Sequence, residues 1–89
     1  MMCQAILVNY HGAALTCGAA HSLGAHPEVR IDVVDNSTSA AEQALLRTGL
    51  PSHANLRVPE KNIGFGRACN LAFESDNSEF VLLLNPDAR

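Results

Sequence analysis

The chain has 89 residues, 47% apolar and 17% charged, enough for one small domain that buries somewhat more than roughly 60% of its unfolded surface, and too apolar for disorder. A net charge of −3, with six basic residues scattered at Arg30, Arg47, Arg57, Lys61, Arg67 and Arg89, leaves no basic patch and excludes nucleic acid as the expected partner. No apolar stretch approaches the roughly 20 residues that cross a bilayer, and Met1 to Tyr10 has no positive charge ahead of its apolar segment, so no transmembrane segment and a cytoplasmic location are expected.

The first element is a short unbroken apolar run, Ala5 to Val8. Leu15, Ala19 and Leu23 then repeat every four residues over Ala13 to Gly24, a helix stopped by Gly24 and Pro27. Val29 to Val34 is apolar except at Arg30 and Asp32. Ser39-Ala40-Ala41-Glu42 has capping-box spacing, in which the hydroxyl bonds the Glu42 amide and the carboxylate reaches back to the Ser39 amide. It opens a helix through Leu46, ended by Gly49 and Pro51. Ala54 to Val58 is a weaker strand candidate and reads as a sheet edge. A third helix, from near Gly66 to Ser75, carries Phe65, Cys69 and Ala72 as one stripe, widened by Ala68 and Leu71. Phe80 to Leu84 is the clearest strand.

Continuous rather than alternating apolarity fits strands covered on both faces, hence a parallel sheet. Strands alternating with helices along the whole of 1–89 predict one α/β domain, Rossmann-like and three-layered, with right-handed crossovers and no linker or repeat. Cys3, Cys17 and Cys69 are odd in number and lack a CxxC pair, so three reduced, packed thiols are expected ahead of any metal or redox role. Among the histidines only His11 falls beside a strand end; no two have metal-ligand spacing, and no Ser/His/Asp order suggests a hydrolase.

Ligands of open parallel sheets bind outside the carboxyl ends of the strands. There the four strands hand over to Asn9-Tyr10-His11-Gly12, Asp35-Asn36-Ser37-Thr38, Glu60-Lys61-Asn62-Ile63-Gly64 and Asn85-Pro86-Asp87. Taken singly, most have plain structural roles: Asp35 and Asn36 as turn and helix-entry residues, Asn85-Pro86-Asp87 as a turn, Gly64-Phe65-Gly66 as a flexible helix entry or a phosphate cradle. Asp35 and Asp87 are the two for which a site is favoured. Asn70, flanked by Cys69 and Leu71, calls for a hydrogen-bond partner.

In order, ILVNYHG, VRIDVVDNSTS, PEKNIGFGRACNLAF and FVLLLNPDA resemble the amino-terminal half of family 2 glycosyltransferases of the GT-A fold, the rhamnosyltransferase-like members above all. The resemblance runs from about Ala5 to Ala88 and implies a four-stranded parallel sheet of order 3-2-1-4. It also implies the donor-binding half of an inverting hexosyltransferase. By position, Asn9 and Tyr10 would line the nucleobase pocket and Asp35 and Asn36 would meet base or ribose. Asn62, Gly64 and Asn70 would close the nucleotide side. Asn85-Pro86-Asp87 falls at the family's DXD motif, with Asn85 replacing the first Asp; Asp87 would ligate Mg²⁺ or Mn²⁺ through the diphosphate of a UDP- or dTDP-linked sugar. A hard dication there would neutralise the charge of the leaving nucleoside diphosphate.

The family's carboxylate base and acceptor half lie downstream of the matched stretch, and Glu74, Asp76 and Glu79 sit at the wrong edge to replace it. No catalytic residue is therefore assigned, and the chain alone is expected to bind donor without transferring sugar. The alternative is a non-catalytic nucleotide-binding or interaction module that keeps the fold. A signalling receiver fits poorly, because Asn9-Tyr10 and Pro59-Glu60 stand where its acidic residues would be. The apolar edge Phe80 to Leu84 also predicts self-association.

Overall fold

Cys3–Asn9 forms β1 and Val29–Asp35 forms β2, paired in parallel from Cys3 opposite Val29 to Asn9 opposite Asp35. A computed structural model describes residues 3–73 and the backbone of residues 80–84. Asn55–Arg57 (β3) pairs in parallel with the outer side of β2, Asp32 opposite Asn55. Phe80–Leu84 (β4) runs parallel to β1, with Cys3 opposite Phe80 and Leu7 opposite Leu84. Helices α1 (Ala13–Gly24), α2 (Ala40–Gly49) and α3 (Gly64–Phe73) fill the connections. The result is a small α/β fold built on a parallel sheet, the class that the alternation predicts.

Both faces of the sheet are covered, which is why β1 and β2 read as near-continuous apolar runs. On one face Ala5, Leu7, Ile31 and Val33 pack with Ala20 of α1. On the other, Ile6, Val8 and Val34 pack with Ala68, Cys69 and Ala72 of α3. Arg30 and Asp32, the two polar interruptions of β2, belong to one buried arrangement. Gln4 Nε2 donates to Asp32 Oδ2 at 2.8 Å and to the Ala72 carbonyl at 3.1 Å, and Arg30 Nε lies 3.2 Å from the same carboxylate oxygen.

Helix α1 is rotated from its expected stripe. On α1 the buried positions are Ala13, Thr16 and Ala20, whereas Leu15 is exposed and Ala19 and Leu23 lie at the margin of the core. The shift of one residue puts the Thr16 hydroxyl against β1, where it donates to Asn9 Oδ1 at 2.6 Å. A polar bond, invisible to hydrophobic periodicity, sets this helix's phase. α3 starts two residues before the expected Gly66; Ala68, Cys69 and Ala72 are buried and Leu71 packs beside them as expected, but Phe65 is exposed and Ile63 packs against the core. The expected end at Ser75 lies outside the described residues. Ser39 caps α2 through the Glu42 amide as expected, but the Glu42 carboxylate does not return to Ser39. Instead it bonds groups of β1 and α1.

α1 and α2 pack closely at the end of α2. A Cβ on Gly49 would stand 2.8 Å from Cys17 Sγ. Gly49→Ala should therefore lower stability by about 1–3 kcal/mol through overpacking, although alanine favours a helix by up to about 1 kcal/mol over glycine. With Cys17→Ala the clash is removed and the same substitution should become neutral or stabilising. Urea denaturation of the two single variants and the double variant measures the sign change.

Candidate functional site

β1 and β2 end side by side, and the Asn36 amide donates to the Asn9 carbonyl at 2.8 Å where the strands part. Odd positions of β1 share a face with Ile31, Val33 and Asp35, so Asn9 and Asp35 both point toward α1 and α2. Asn9 is fully buried and its side chain is wholly used. Its two Nδ2 hydrogens meet three acceptors: Glu42 Oε1 at 3.0 Å, Asp35 Oδ1 at 3.1 Å and Ser37 Oγ at 3.3 Å, so at least one bond is shared. Its Oδ1 accepts from Thr16. This amide is an internal hub with no spare donor.

Glu42, barely accessible, also accepts the Ala13 amide at 2.7 Å. Ala13 opens α1, and Gly12 provides no side-chain cap there. A carboxylate from α2 thus satisfies an orphan donor of α1 and faces the positive end of its dipole. Asp35 takes the Asn9 amide and the Ser37 backbone amide, both at 3.1 Å, on Oδ1 alone. Its Oδ2 is buried and has no hydrogen-bond partner. Leaving such an acceptor unsatisfied costs free energy, about 1–3 kcal/mol or more for a charged group.

Above this cluster the rim is tightly constrained. Ser37 Oγ accepts the His11 amide at 2.7 Å, and Thr38 Oγ1 donates to the Ser37 carbonyl at 2.6 Å. His11 (φ 53°) and Thr38 (φ 54°) are both left-handed, a conformation unfavourable above all for β-branched threonine. Tyr10 is half exposed, its ring edge-on to His11 with centroids 4.6 Å apart. Asn36 faces the other way: its Nδ2 donates to the Gly64 carbonyl at 3.2 Å and its Oδ1 accepts the Ile63 amide at 3.3 Å. Asn62 Oδ1 in turn accepts the Gly64 amide at 2.8 Å, closing a turn in which Gly64 takes φ 79°, accessible to glycine at no steric cost.

The structure thus brings Asn9, Asp35 and Asn36 into contact and ties Asn62 and Gly64 to Asn36. Asn70 is exposed on α3, so its amide is open to solvent and the protein partner expected for it is not required. Asn85 and Asp87, like Glu74, Asp76 and Glu79, lie outside the described residues. Among the described residues no three His, Cys, Asp or Glu side chains gather where they could hold a metal ion, and no helix is long and apolar enough to cross a membrane. Burial pushes the Cys17 and Cys69 thiols up from their ordinary value, with Glu42 adding to the effect at Cys17. All three cysteines are free, and these two are poor nucleophiles at neutral pH.

Glu42 and Thr16 are the cluster members that sequence inspection passes over. Glu42 hides because its spacing from Ser39 has a complete local explanation. Thr16 breaks the apolar stripe of α1 and is the only sign of the true phase. No family model, curated protein or solved structure matches the chain.

Asn9→Ala would strip Glu42, Asp35 and Thr16 of a shared partner. It should cost about 3 kcal/mol or more, as for breaking a buried charged network, whereas Thr48→Ala, which removes only exposed bonds within α2, should stay within about 0.5 kcal/mol. Thermal and urea unfolding of the two variants check the contrast.

Proposed function

We propose that the chain is the donor-binding portion of an inverting, metal-dependent glycosyltransferase of family 2, and that its ligand is a nucleoside-diphosphate sugar carried on UDP or dTDP. The observation that carries this reading is the Asp35 carboxylate. One oxygen is fixed by two protein donors and the other is left without any, at the carboxyl end of a central parallel strand. An N–H of a nucleobase or a ribose hydroxyl is the kind of donor that would complete it. Tyr10 beside it offers an aromatic face for stacking, and the loop tied through Asn36 and Asn62 bounds the other side.

In this reading the sheet is the 3-2-1-4 core of a GT-A donor half. Asp87, with Asn85 beside it, would hold Mg²⁺ or Mn²⁺, which would neutralise the charge of the leaving diphosphate. Such an ion keeps most of its contacts with water and phosphate, so its affinity without nucleotide is low. The proposal concerns donor binding and assigns no base for transfer.

Titration with UDP and with dTDP, with and without Mn²⁺, should shift the amide resonances of Tyr10, Asp35, Asn62 and Asp87 together. Asp35→Asn keeps an acceptor on Oδ1 but turns the other position into a donor; it should weaken UDP about tenfold or more while leaving the fold intact. Absence of shifts at millimolar nucleotide would sink the proposal.

Self-association along the apolar strand Phe80–Leu84 belongs to the same reading, because an unprotected edge pairs with another copy. Among the described residues β4 pairs with β1 alone. The weight-average mass in sedimentation equilibrium should rise with concentration; a constant monomer mass would refute it.

A further inference from the structure

We infer that Glu42 is a positioning residue for the ligand-facing carboxylate of Asp35, acting through Asn9. This rests on the reading above, in which Asp35 Oδ2 meets the nucleoside. Glu42 touches no open part of the rim. What it does is hold two groups at once: the Asn9 Nδ2 at 3.0 Å and the Ala13 amide at 2.7 Å, both on Oε1.

The consequence passes along one side chain. Asn9 has two amide hydrogens, and its other oxygen is held by Thr16, so the rotation of its amide plane is fixed from both ends. Engaged by Glu42, the amide presents its remaining donor capacity to Asp35 Oδ1 and Ser37 Oγ. Asp35 Oδ1 also takes the Ser37 amide. With Oδ1 doubly occupied, the carboxylate is locked with Oδ2 as its open acceptor. If Glu42 is shortened or removed, the Asn9 amide loses one of its two carboxylate partners. Its two hydrogens then redistribute between Asp35 Oδ1 and Ser37 Oγ, and the orientation of the Asp35 carboxylate that Oδ1 anchors changes with them.

A simple helix-capping role for Glu42 makes a different forecast. Capping of α1 would cost stability but leave Asp35 alone. Two substitutions separate the roles. Glu42→Gln retains an oxygen that can accept from both Asn9 and Ala13. Glu42→Asp retains the charge but is one methylene too short to reach both.

The experiment uses ¹³C-labelled protein, in which the Asp35 side-chain carboxyl resonance is followed in the absence of ligand and then during titration with UDP and Mn²⁺. In Glu42→Gln the ligand-free Asp35 resonance should stay near the wild-type position and the UDP affinity within about threefold; in Glu42→Asp the resonance should move and the affinity fall about tenfold. An unmoved Asp35 resonance in folded Glu42→Asp would overturn the inference, as would equal loss of UDP affinity in both variants. The ligand-free signal tests the positioning by itself. A wild-type protein that shows the Glu42-dependent shift but binds no UDP would refute the donor-binding reading and leave the coupling of Glu42 to Asp35 standing.

Discussion

One amide holds the carboxyl edge of this fold together. Asn9 stands at the end of β1 and bonds Thr16 of α1, Glu42 of α2, and Asp35 and Ser37 at the end of β2. Buried carboxylates are tolerated only when donors surround them. Glu42 meets this demand with Asn9 and the first amide of α1, and Asp35 meets half of it with Asn9 and Ser37. Apolar contacts bring the helices to the sheet, but they are non-directional. The amide fixes where α1 and α2 stop sliding and turning.

How far the sequence discloses this follows from the range of each interaction. The strands are legible because double-sided burial leaves its mark on consecutive residues, as in Ala5 to Val8, and the helix ends because Ser39, Gly24 and Gly49 act locally. Rotation of the helices is another matter. Leu15 looks like core and is exposed; Thr16 looks like an interruption and is buried, because its partner lies seven residues away on a strand. Glu42 is the sharper case. Its spacing from Ser39 completes a local motif, yet an amide 33 residues away and the start of α1 compete for the same carboxylate and win. Asn70 errs in the opposite direction: apolar neighbours in sequence suggested burial, whereas on a helix those neighbours point away from it.

The rim above the cluster is strained as well as polar. His11 and Thr38 both adopt left-handed backbone, and the two are linked through Ser37, whose hydroxyl accepts from His11 and whose carbonyl accepts from Thr38. Residues in this region cost on the order of 1–3 kcal/mol each and persist only where surrounding bonds over-determine them. Ser37 supplies those bonds, and it also reaches Asn9 and Asp35. Strain in the loops and order in the cluster are therefore coupled through one serine. The Asp35 carboxylate beneath this arrangement is covered in the structure.

The opposite end of β2 shows why Asp35 differs from an ordinary buried acid. Asp32, also fully buried with one oxygen unpartnered, has a countercharge: Arg30 lies 3.2 Å from it, and Gln4 adds a second donor. Glu42 has the start of α1. Asp35 has neither, for among the described residues its donors are one side-chain amide and one backbone amide and it makes no ion pair. Among the described residues three acids are thus buried around one sheet, and two are matched from within by a guanidinium or a helix terminus. A charge without such a match is costly to retain for packing alone, because an apolar residue in its place would remove the desolvation cost. Asp35 therefore stands apart from the other two: one oxygen is fixed by two neutral amides and the other is buried without a partner among the described residues.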